Sequence, residues 1–264
     1  MCAMKLQIMP FSGQHQGTRE RQEDAFGLSC HSQNHSTAGA GFLAVLADGM
    51  GGLSKGTEAS RAAVDVYLMA HAEWNAGEPV PAFMERTANM ANTAVFDKAY
   101  ENGEEVELGT TLVAVLAKDD HLYWAAAGDS RIYHCRGEQL TQVTQDHIYG
   151  NQLQAEVDNG SMTAEEAREH PEHDYLTSYL GLPEIPELEM CREPMALLPG
   201  DRVLLCSDGL YQVLPYHELV DVLHQPDLNP AEEMIRRTLE RNVRHQDNVT
   251  VIVLNCQLEN ENEE

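Results

Sequence analysis

The sequence predicts an α+β fold, an α-β-β-α four-layer sandwich in which two stacked, mostly antiparallel sheets are flanked by helix pairs. Runs rich in β-branched and aromatic residues, over 110–117, 121–127 and 131–135, predict strands joined by three-residue turns. Connections this short imply antiparallel pairing, because parallel neighbours need long crossovers. Amphipathic helices are predicted over 56–72 and 81–102, with small-residue faces suited to packing on a sheet.

The remaining elements follow from local patterns. Apolar runs predict further strands over 5–9, 25–30, 42–47, 202–207 and 249–254. From 144 to 173 the pattern becomes polar, which predicts a surface excursion, and the capping box Thr163-x-x-Glu166 predicts one short helix inside it. Asn229-Pro230 begins another helix with the cap and first-turn residues that helices prefer.

The sequence shows no internal repeat and no convincing linker, which favours a single domain over residues 1–258, followed by an acidic disordered tail over 259–264. With 17 Lys and Arg against 43 Asp and Glu, the net charge is -26. Such a chain repels phosphate backbones and anionic lipid, so nucleic acid and membrane surfaces are poor partners. The six cysteines form no Cys-x-x-Cys pair, and no apolar run could span a bilayer. We expect a cytoplasmic monomer.

Asp48 is the first residue that points to chemistry. It ends the buried run 42–47 and is followed by Gly49-Met50-Gly51-Gly52. The carboxylate and the Gly49 carbonyl are hard oxygen ligands of the kind that Mg²⁺ or Mn²⁺ prefers. An ordinary Asp-Gly turn fits this stretch alone equally well.

Other carboxylates recur at strand ends. Asp208 follows a second buried strand, Asp247 precedes the last strand, Asp129 lies in a tight turn and Glu23-Asp24 precedes the strand at 25–30. Clustered without cations, these groups would raise each other's pKa. The pattern therefore predicts a site for divalent metal ions, although each turn by itself also fits a structural role.

The combined motifs resemble the metal-dependent protein serine/threonine phosphatases, the protein phosphatase 2C family, in their compact bacterial form. The resemblance runs from about residue 12 to residue 256. It is carried by Arg19-x-x-x-Glu23-Asp24, Asp48-Gly-Met-Gly-Gly52, Gly109-Thr-Thr111, Gly128-Asp-Ser-Arg131, Ser207-Asp-Gly209 and Asp247-Asn248.

The resemblance implies two central ions, Mn²⁺ or Mg²⁺, bridged by Asp48. The Gly49 carbonyl would bind one ion, and Asp208 and Asp247 would bind the other. Glu23 and Asp24 would act through metal-bound water. A hydroxide bridging two metals about 3.5–4 Å apart would attack phosphorus directly, without a phosphoenzyme.

Two further assignments accompany this one. Arg19 would hold the phosphoryl oxygens, because a guanidinium fork matches phosphate geometry; a surface salt bridge with Glu20 or Glu23 is the alternative. Asp129 would share a third, weaker ion with Asp208; the alternative is an aspartate that caps its own turn.

Several positions depart from the family pattern or stay unassigned. Met50 stands where many members have a histidine that is a proposed general acid, so a leaving-group proton would come from metal-bound water or the substrate. Ser178 stands where an arginine is frequent, and we assign it no phosphate-binding role. Asp146-His147 fits either support of the site or local turn bonding.

The predicted activity is hydrolysis of phosphoserine and phosphothreonine in proteins, whose partners would be substrates of a Ser/Thr kinase. Two alternatives stay open: a non-catalytic regulatory or binding module with the same fold, and a metal-dependent hydrolase of a small phosphorylated metabolite. The first would be expected to lack metal ligands, and Asp24, Asp48, Asp208 and Asp247 are all present.

Overall fold

The computed structural model describes residues 6–29, 37, 39–51, 55–75, 77–99, 108–191, 193–226 and 228–258. The strands are β1 (Leu6–His15), β2 (Ala25–Leu28), β3 (Phe42–Ala47), β4 (Gly49–Gly51), β5 (Leu108–Thr110), β6 (Leu112–Lys118), β7 (His121–Ala127), β8 (Arg131–Arg136), β9 (Gln139–Gln142), β10 (Glu189–Met190), β11 (Met195–Ala196), β12 (Arg202–Cys206) and β13 (Val249–Leu258). The helices are α1 (Lys55–Ala72), α2 (Val80–Ala99), α3 (Tyr149–Asp158), α4 (Ala164–Arg168), α5 (Asp208–Tyr211), α6 (Tyr216–Leu223) and α7 (Pro230–Glu240).

Two sheets form the centre of the molecule. The first has the order β1-β13-β12-β8-β9, and the second has the order β10-β7-β6-β3-β2, with β11 also paired to β7. Among the residues described, every named strand pair is antiparallel. β4 and β5 form a separate two-stranded sheet.

Alternation along the strands divides the core into three layers of side chains. In β3, Phe42, Ala44 and Leu46 belong to the layer between the two sheets, together with residues of β12 and β13. Leu43, Val45 and Ala47 belong to the layer beneath α1 and α2. A third layer joins the outer face of the first sheet to α5, α6 and α7. The predicted four-layer sandwich is therefore confirmed.

The register of the strands gathers the strand-end carboxylates at one end of the sandwich. In the first sheet, Cys206 at the end of β12 lies opposite both Arg131 and Val251. In the second sheet, Ala47 at the end of β3 lies opposite Ala25. Residues just beyond these pairs, from both sheets, therefore meet at the same edge.

Several elements differ from the sequence-based prediction. β1 and β13 extend well beyond 5–9 and 249–254, because they pair with each other along their full length from Leu6↔Leu258 to His15↔Val249. The polar excursion holds two helices rather than one; the predicted capping box of Thr163 and Glu166 begins the second. α5 and α6 were not predicted. The tail over 259–264 and most of the loop 31–41 lie outside the described residues.

The four described cysteines, Cys135, Cys191, Cys206 and Cys256, are buried free thiols. Cys2 and Cys30 lie outside the described residues. Over the part of the chain that the structure describes, no helix combines the length and apolar character that crossing a membrane requires.

Candidate active site

The main chain of Asp48 is held by hydroxyl groups of a neighbouring strand. Its N–H donates to Thr111 Oγ1 (2.9 Å), and its carbonyl accepts from Thr110 Oγ1 (2.9 Å) and from the Thr111 N–H (2.8 Å). The predicted carboxylate is thus presented by a rigid support. In the sequence these threonines appear only within the motif Gly109-Thr-Thr111, and two hydroxyl residues in succession were the available signal of this role.

Gly49 and Gly56 allow the turn after β3 to approach the start of α1. A Cβ atom on Gly49 would lie 2.1 Å from the Gly56 carbonyl oxygen, and one on Gly56 would lie 2.6 Å from Glu23 Oε1. The carboxylate of Glu23 therefore occupies the space that a side chain at position 56 would fill. Burial raises the pKa of Glu23, while the charge of Arg19 opposes this shift.

Asp24 joins the two sheets beneath the site. It is 5% exposed, and its Oδ2 accepts hydrogen bonds from Ser207 Oγ (2.9 Å) and Thr250 Oγ1 (2.6 Å). Thr250 belongs to β13 of the first sheet, and Ser207 directly follows β12 of the same sheet. Its Oδ1 is buried and has no hydrogen-bond partner within the described ranges. Burial raises the pKa of Asp24 to about 6.

Asp208 is the first residue of α5. Gln212 Nε2 donates to its Oδ2 (3.0 Å), whereas its Oδ1 is buried without a hydrogen-bond partner among the residues described. Burial, followed by the charges of Asp129 and Asp247, raises the pKa of Asp208 to about 7. An oxygen atom that is buried, anionic and unpartnered is a free ligand position.

Asp247 and Arg19 form an ion pair across the mouth of the site, with Arg19 Nη2 2.5 Å from Asp247 Oδ2. Among the described residues, Arg19 thus forms its ion pair with Asp247, and not with Glu20 or Glu23 as in the sequence-based alternative. The next residue, Asn248, binds the Arg19 loop through its side chain. It donates to the carbonyls of Gln16 (2.9 Å) and Arg21 (2.9 Å) and accepts from the Glu23 N–H (2.7 Å).

Asp129 is positioned by residues from two other elements. Tyr211, at the end of α5, donates its hydroxyl to Asp129 Oδ2 (3.0 Å). The preceding Gly128 donates its N–H to His147 Nδ1 (3.1 Å) and accepts from the His147 N–H (2.9 Å). His147 thus supports the site through the turn, which answers the question that its sequence context left open. Burial raises the pKa of Asp129.

Arg131 belongs to this support and not to the cavity. Its Nη2 lies 2.6 Å from Asp146 Oδ2, and its guanidinium carbon lies 3.5 Å from the centre of the Tyr211 ring. The guanidinium of the Arg131–Asp146 ion pair thus packs against one face of the Tyr211 ring. Sequence reasoning missed Tyr211, because a four-residue helix that contains a glycine carries no periodic signal; its position three residues after Asp208 was the only clue.

These groups surround an open cavity of about 350 Å³. Of the predicted site residues, the structure brings Arg19, Glu23, Asp48, Gly49, Asp129, Asp208 and Asp247 to its wall. Asp24 lies behind the wall. Met50, Gly51, Thr111, Asp174, Leu176 and Asn248 complete the lining. Ser178, which we assigned no phosphate role, is fully buried and binds the main chain of Glu187 through its hydroxyl.

The chemistry of the donor set fits divalent cations. Burial, and then the charge of Asp24, holds the pKa of Asp48 well above its usual range. Carboxylates that raise each other's pKa in this way are stabilised by cations placed among them. Within the described ranges, no three His, Cys, Asp or Glu side chains are grouped so that they alone could hold an ion. Main-chain carbonyls and water commonly complete the coordination of Mg²⁺ beside carboxylates, and the Gly49 carbonyl belongs to a residue that lines this cavity.

Comparison with known proteins agrees with this geometry. A family model described as Protein phosphatase 2C matches residues 13–258. The serine/threonine protein phosphatase PstP of Mycobacterium tuberculosis is 35% identical over 229 residues, which are 86% of this chain but 42% of that protein. The chain thus spans about two fifths of the length of that relative. Protein phosphatase PhpP of Streptococcus pneumoniae is 31% identical over 84% of this chain and 89% of its own length.

Solved structures extend the similarity to the whole domain. The crystal structure of the PstP catalytic domain in complex with two manganese ions superposes with a TM-score of 0.73 at 28% identity. The superposition covers 96% of this chain and 99% of that one.

Proposed function

This chain belongs to the protein phosphatase 2C family, and we propose that it hydrolyses phosphoserine and phosphothreonine in proteins with the help of bound metal ions. One observation supports this above the others. Asp48, Asp208 and Asp247 share a single open cavity with Arg19, and Asp208 keeps a buried oxygen that no described residue engages. The cavity thus offers anionic ligands for cations beside a guanidinium group for a phosphate.

The ligands would divide as the family resemblance implies. Asp48 would serve both central ions, the Gly49 carbonyl one of them, and Asp208 and Asp247 the other. Divalent ions bound there would supply Lewis-acid chemistry, lowering the pKa of water and neutralising charge on the phosphoryl group. Glu23 and Asp24 would act from outside this set: Glu23 lines the cavity, and Asp24 is held in place by Ser207 and Thr250. The two manganese ions of the PstP catalytic domain support the choice of Mn²⁺ or Mg²⁺.

Arg19 would orient the phosphoryl group. Asp247 engages only Nη2, and the other guanidinium nitrogens have no partner among the described residues. The side chain is 57% exposed, so a phosphate entering from solvent can reach it. Charge-assisted, paired hydrogen bonds from a guanidinium would fix the orientation of the phosphate. Met50 lines the same cavity and has no proton to donate, which leaves solvent or the substrate to protonate the leaving oxygen.

Asp129 would share a third, weakly bound ion with Asp208. The negative charge of Asp129 adds to burial in raising the pKa of Asp208, and both residues line the cavity, which supports this assignment. Only two carboxylates would hold that ion, so water would complete its coordination and its affinity would be low.

The partners would be phosphoproteins, substrates of a Ser/Thr kinase, and the domain would act as a monomer in the cytoplasm. Four buried free thiols support a reducing compartment.

Turnover with and without metal tests this function. The protein is stripped of metal and assayed with a phosphothreonine peptide and with glucose 6-phosphate, each with Mn²⁺ and with EDTA. We expect turnover of the peptide in Mn²⁺, none in EDTA, and a loss on the order of 10³-fold or more in kcat for Asp48→Asn. Thermal unfolding supplies a second readout: Mn²⁺ should raise the Tm of the wild type more than that of Asp208→Asn.

The outcomes separate the three hypotheses. Preference for the sugar phosphate would favour the metabolite hydrolase. A Tm shift with Mn²⁺ but no turnover of either substrate would favour the non-catalytic module. Full peptide turnover in EDTA would overturn the metal mechanism.

A further inference from the structure

One wall of the cavity comes from the segment 173–177, directly after the polar excursion, through Asp174 and Leu176. This segment lies antiparallel to 147–150, and three main-chain hydrogen bonds join them: Gly150 N–H to His173 O (2.8 Å), Tyr149 N–H to Tyr175 O (2.8 Å) and Thr177 N–H to His147 O (2.9 Å). His147 also holds the Gly128–Asp129 turn. The wall is therefore fixed relative to the carboxylates of the site.

Asp174 stands on this wall with a free carboxylate oxygen. The residue lines the cavity, and its side chain is 87% exposed. Its Oδ1 lies 2.6 Å from His173 Nδ1, while its Oδ2 has no hydrogen bond or ion pair with any residue described. Asp174 is also outside the set of residues that would hold the metal ions. Its negative charge at the rim of the cavity is therefore accessible to charged residues that flank the phosphorylated residue of a substrate.

A negative rim affects which phosphorylated segments can approach. A phosphorylated side chain carries about two negative charges, and acidic neighbours would add repulsion from Asp174. A basic neighbour would instead be attracted to it. Arg19 is the only Lys or Arg among the described residues that line the cavity, and it would be engaged with the phosphoryl group. Among the described residues that line the cavity, no further Lys or Arg could then pair with an acidic residue next to the phosphorylated one.

We infer that Asp174 is a specificity-determining residue that selects phosphorylated segments with a basic residue beside the phosphorylated one; this rests on the proposed function. A guanidinium offers a planar fork of donors that matches a carboxylate, so arginine should be preferred to lysine.

The experiment compares phosphothreonine peptides that differ only in flanking residues. Two arginines, two lysines or two glutamates are placed before or after the phosphothreonine, and 4-nitrophenyl phosphate serves as a substrate without flanks. For the wild type we expect kcat/KM about threefold to fivefold higher with arginine than with glutamate on at least one side, an effect typical of an exposed ion pair. Added 0.5 M NaCl should reduce this preference.

In Asp174→Asn the preference for arginine over glutamate peptides should fall to less than about twofold, because the KM values of the two peptides become similar. The kcat for 4-nitrophenyl phosphate and the Mn²⁺ concentration for half-maximal activity should both stay unchanged. Glu172→Gln is the matched control: it removes one exposed charge two residues before Asp174, at a residue that is not among the described residues lining the cavity, and should keep the preference.

Three results would overturn the inference while leaving the proposed function intact: no preference in the wild type, an equal loss in both variants, or a raised Mn²⁺ requirement in Asp174→Asn, which would make Asp174 a metal ligand. Failure of the wild type to hydrolyse any of these substrates would contradict the proposed function itself.

Discussion

The hydroxyl of Tyr211 donates a 3.0 Å hydrogen bond to Asp129 Oδ2, and this bond ties the turn after β7 to the helix that begins with Asp208. Tyr211 thus connects Asp129 with the short helix that carries Asp208, although the two aspartates are remote from each other in the chain. The Arg131 guanidinium, 3.5 Å from the centre of the Tyr211 ring, holds that ring in place.

Replacing this tyrosine should therefore affect turnover more than stability. In Tyr211→Phe we expect kcat for a phosphopeptide to fall about fivefold to tenfold, because Asp129 loses the donor that positions it, with a stability loss of about 1 kcal/mol. Tyr216→Phe is the control, since Tyr216 also donates its hydroxyl, to the Leu140 carbonyl away from the cavity. Equal kcat values in the two variants would show that the Tyr211 bond has no role in turnover.

A methyl group at position 56 should disturb the site from the first turn of α1. Alanine normally stabilises a helix relative to glycine by about 0.5–1 kcal/mol. Here its Cβ would lie 2.6 Å from Glu23 Oε1 and 2.8 Å from the Gly49 carbonyl oxygen. We expect Gly56→Ala to lower both the Tm and kcat, because Glu23 must move.

The control for this change is Gly77→Ala, where the nearest atom to the added Cβ is 3.4 Å away. Its Tm should change little, and its kcat should match the wild type. If Gly56→Ala were more stable than the wild type, as helix propensity alone requires, the close packing of Glu23 against Gly56 would be refuted.

Removing Arg19 should separate substrate binding from metal binding. In Arg19→Ala we expect KM for a phosphopeptide to rise about tenfold, because the phosphate loses roughly one charge-assisted hydrogen bond. Mn²⁺ should bind equally well or more tightly, because Asp247 loses its cationic partner. Steady-state kinetics and calorimetric Mn²⁺ titration measure the two effects.

Arg244→Ala provides the comparison, since Arg244 is an exposed arginine that is not among the described residues lining the cavity. Unchanged kcat/KM in Arg19→Ala would favour a purely structural pair with Asp247.

Asp201, just before β12 and at the opposite end of that strand from Asp208, should control stability as a function of pH. Burial raises its pKa, but hydrogen bonds from Arg136 and the Leu198 N–H outweigh burial and leave the pKa below its usual value. A carboxyl group with a lowered pKa in the folded state stabilises the protein above its unfolded pKa of about 3.9. That contribution is lost as the pH falls through the lower, folded-state value.

We therefore expect Asp201→Asn to lose about 2 kcal/mol of unfolding free energy at pH 7 and clearly less at about pH 3, measured by urea denaturation. Glu138→Gln, at an exposed position in the turn before β9, should show little change at either pH. A difference between Asp201→Asn and the wild type that does not depend on pH would contradict the role of ionisation.

The layers of the fold could be predicted because their signals are local. Each residue of the run 42–47 is apolar, and strand geometry sends alternate side chains to opposite faces, so both faces had to be covered. The two long helices were predicted from their own periodicity in the same way. α5 and α6 were missed because helices of four and eight residues depend on packing against β12 and α7 more than on their own sequence.

The sequence by itself determined which residues are candidates for the chemistry, because strand-end carboxylates, glycines that permit close approach and an arginine at fixed spacing are local features. Only the tertiary structure decided their partners. Arg19 pairs with Asp247, 228 residues away, and Asp24 bonds to Ser207 and Thr250 of the other sheet. Distances between side chains so remote in the chain are set by strand register and by the stacking of the two sheets, and no local pattern encodes either.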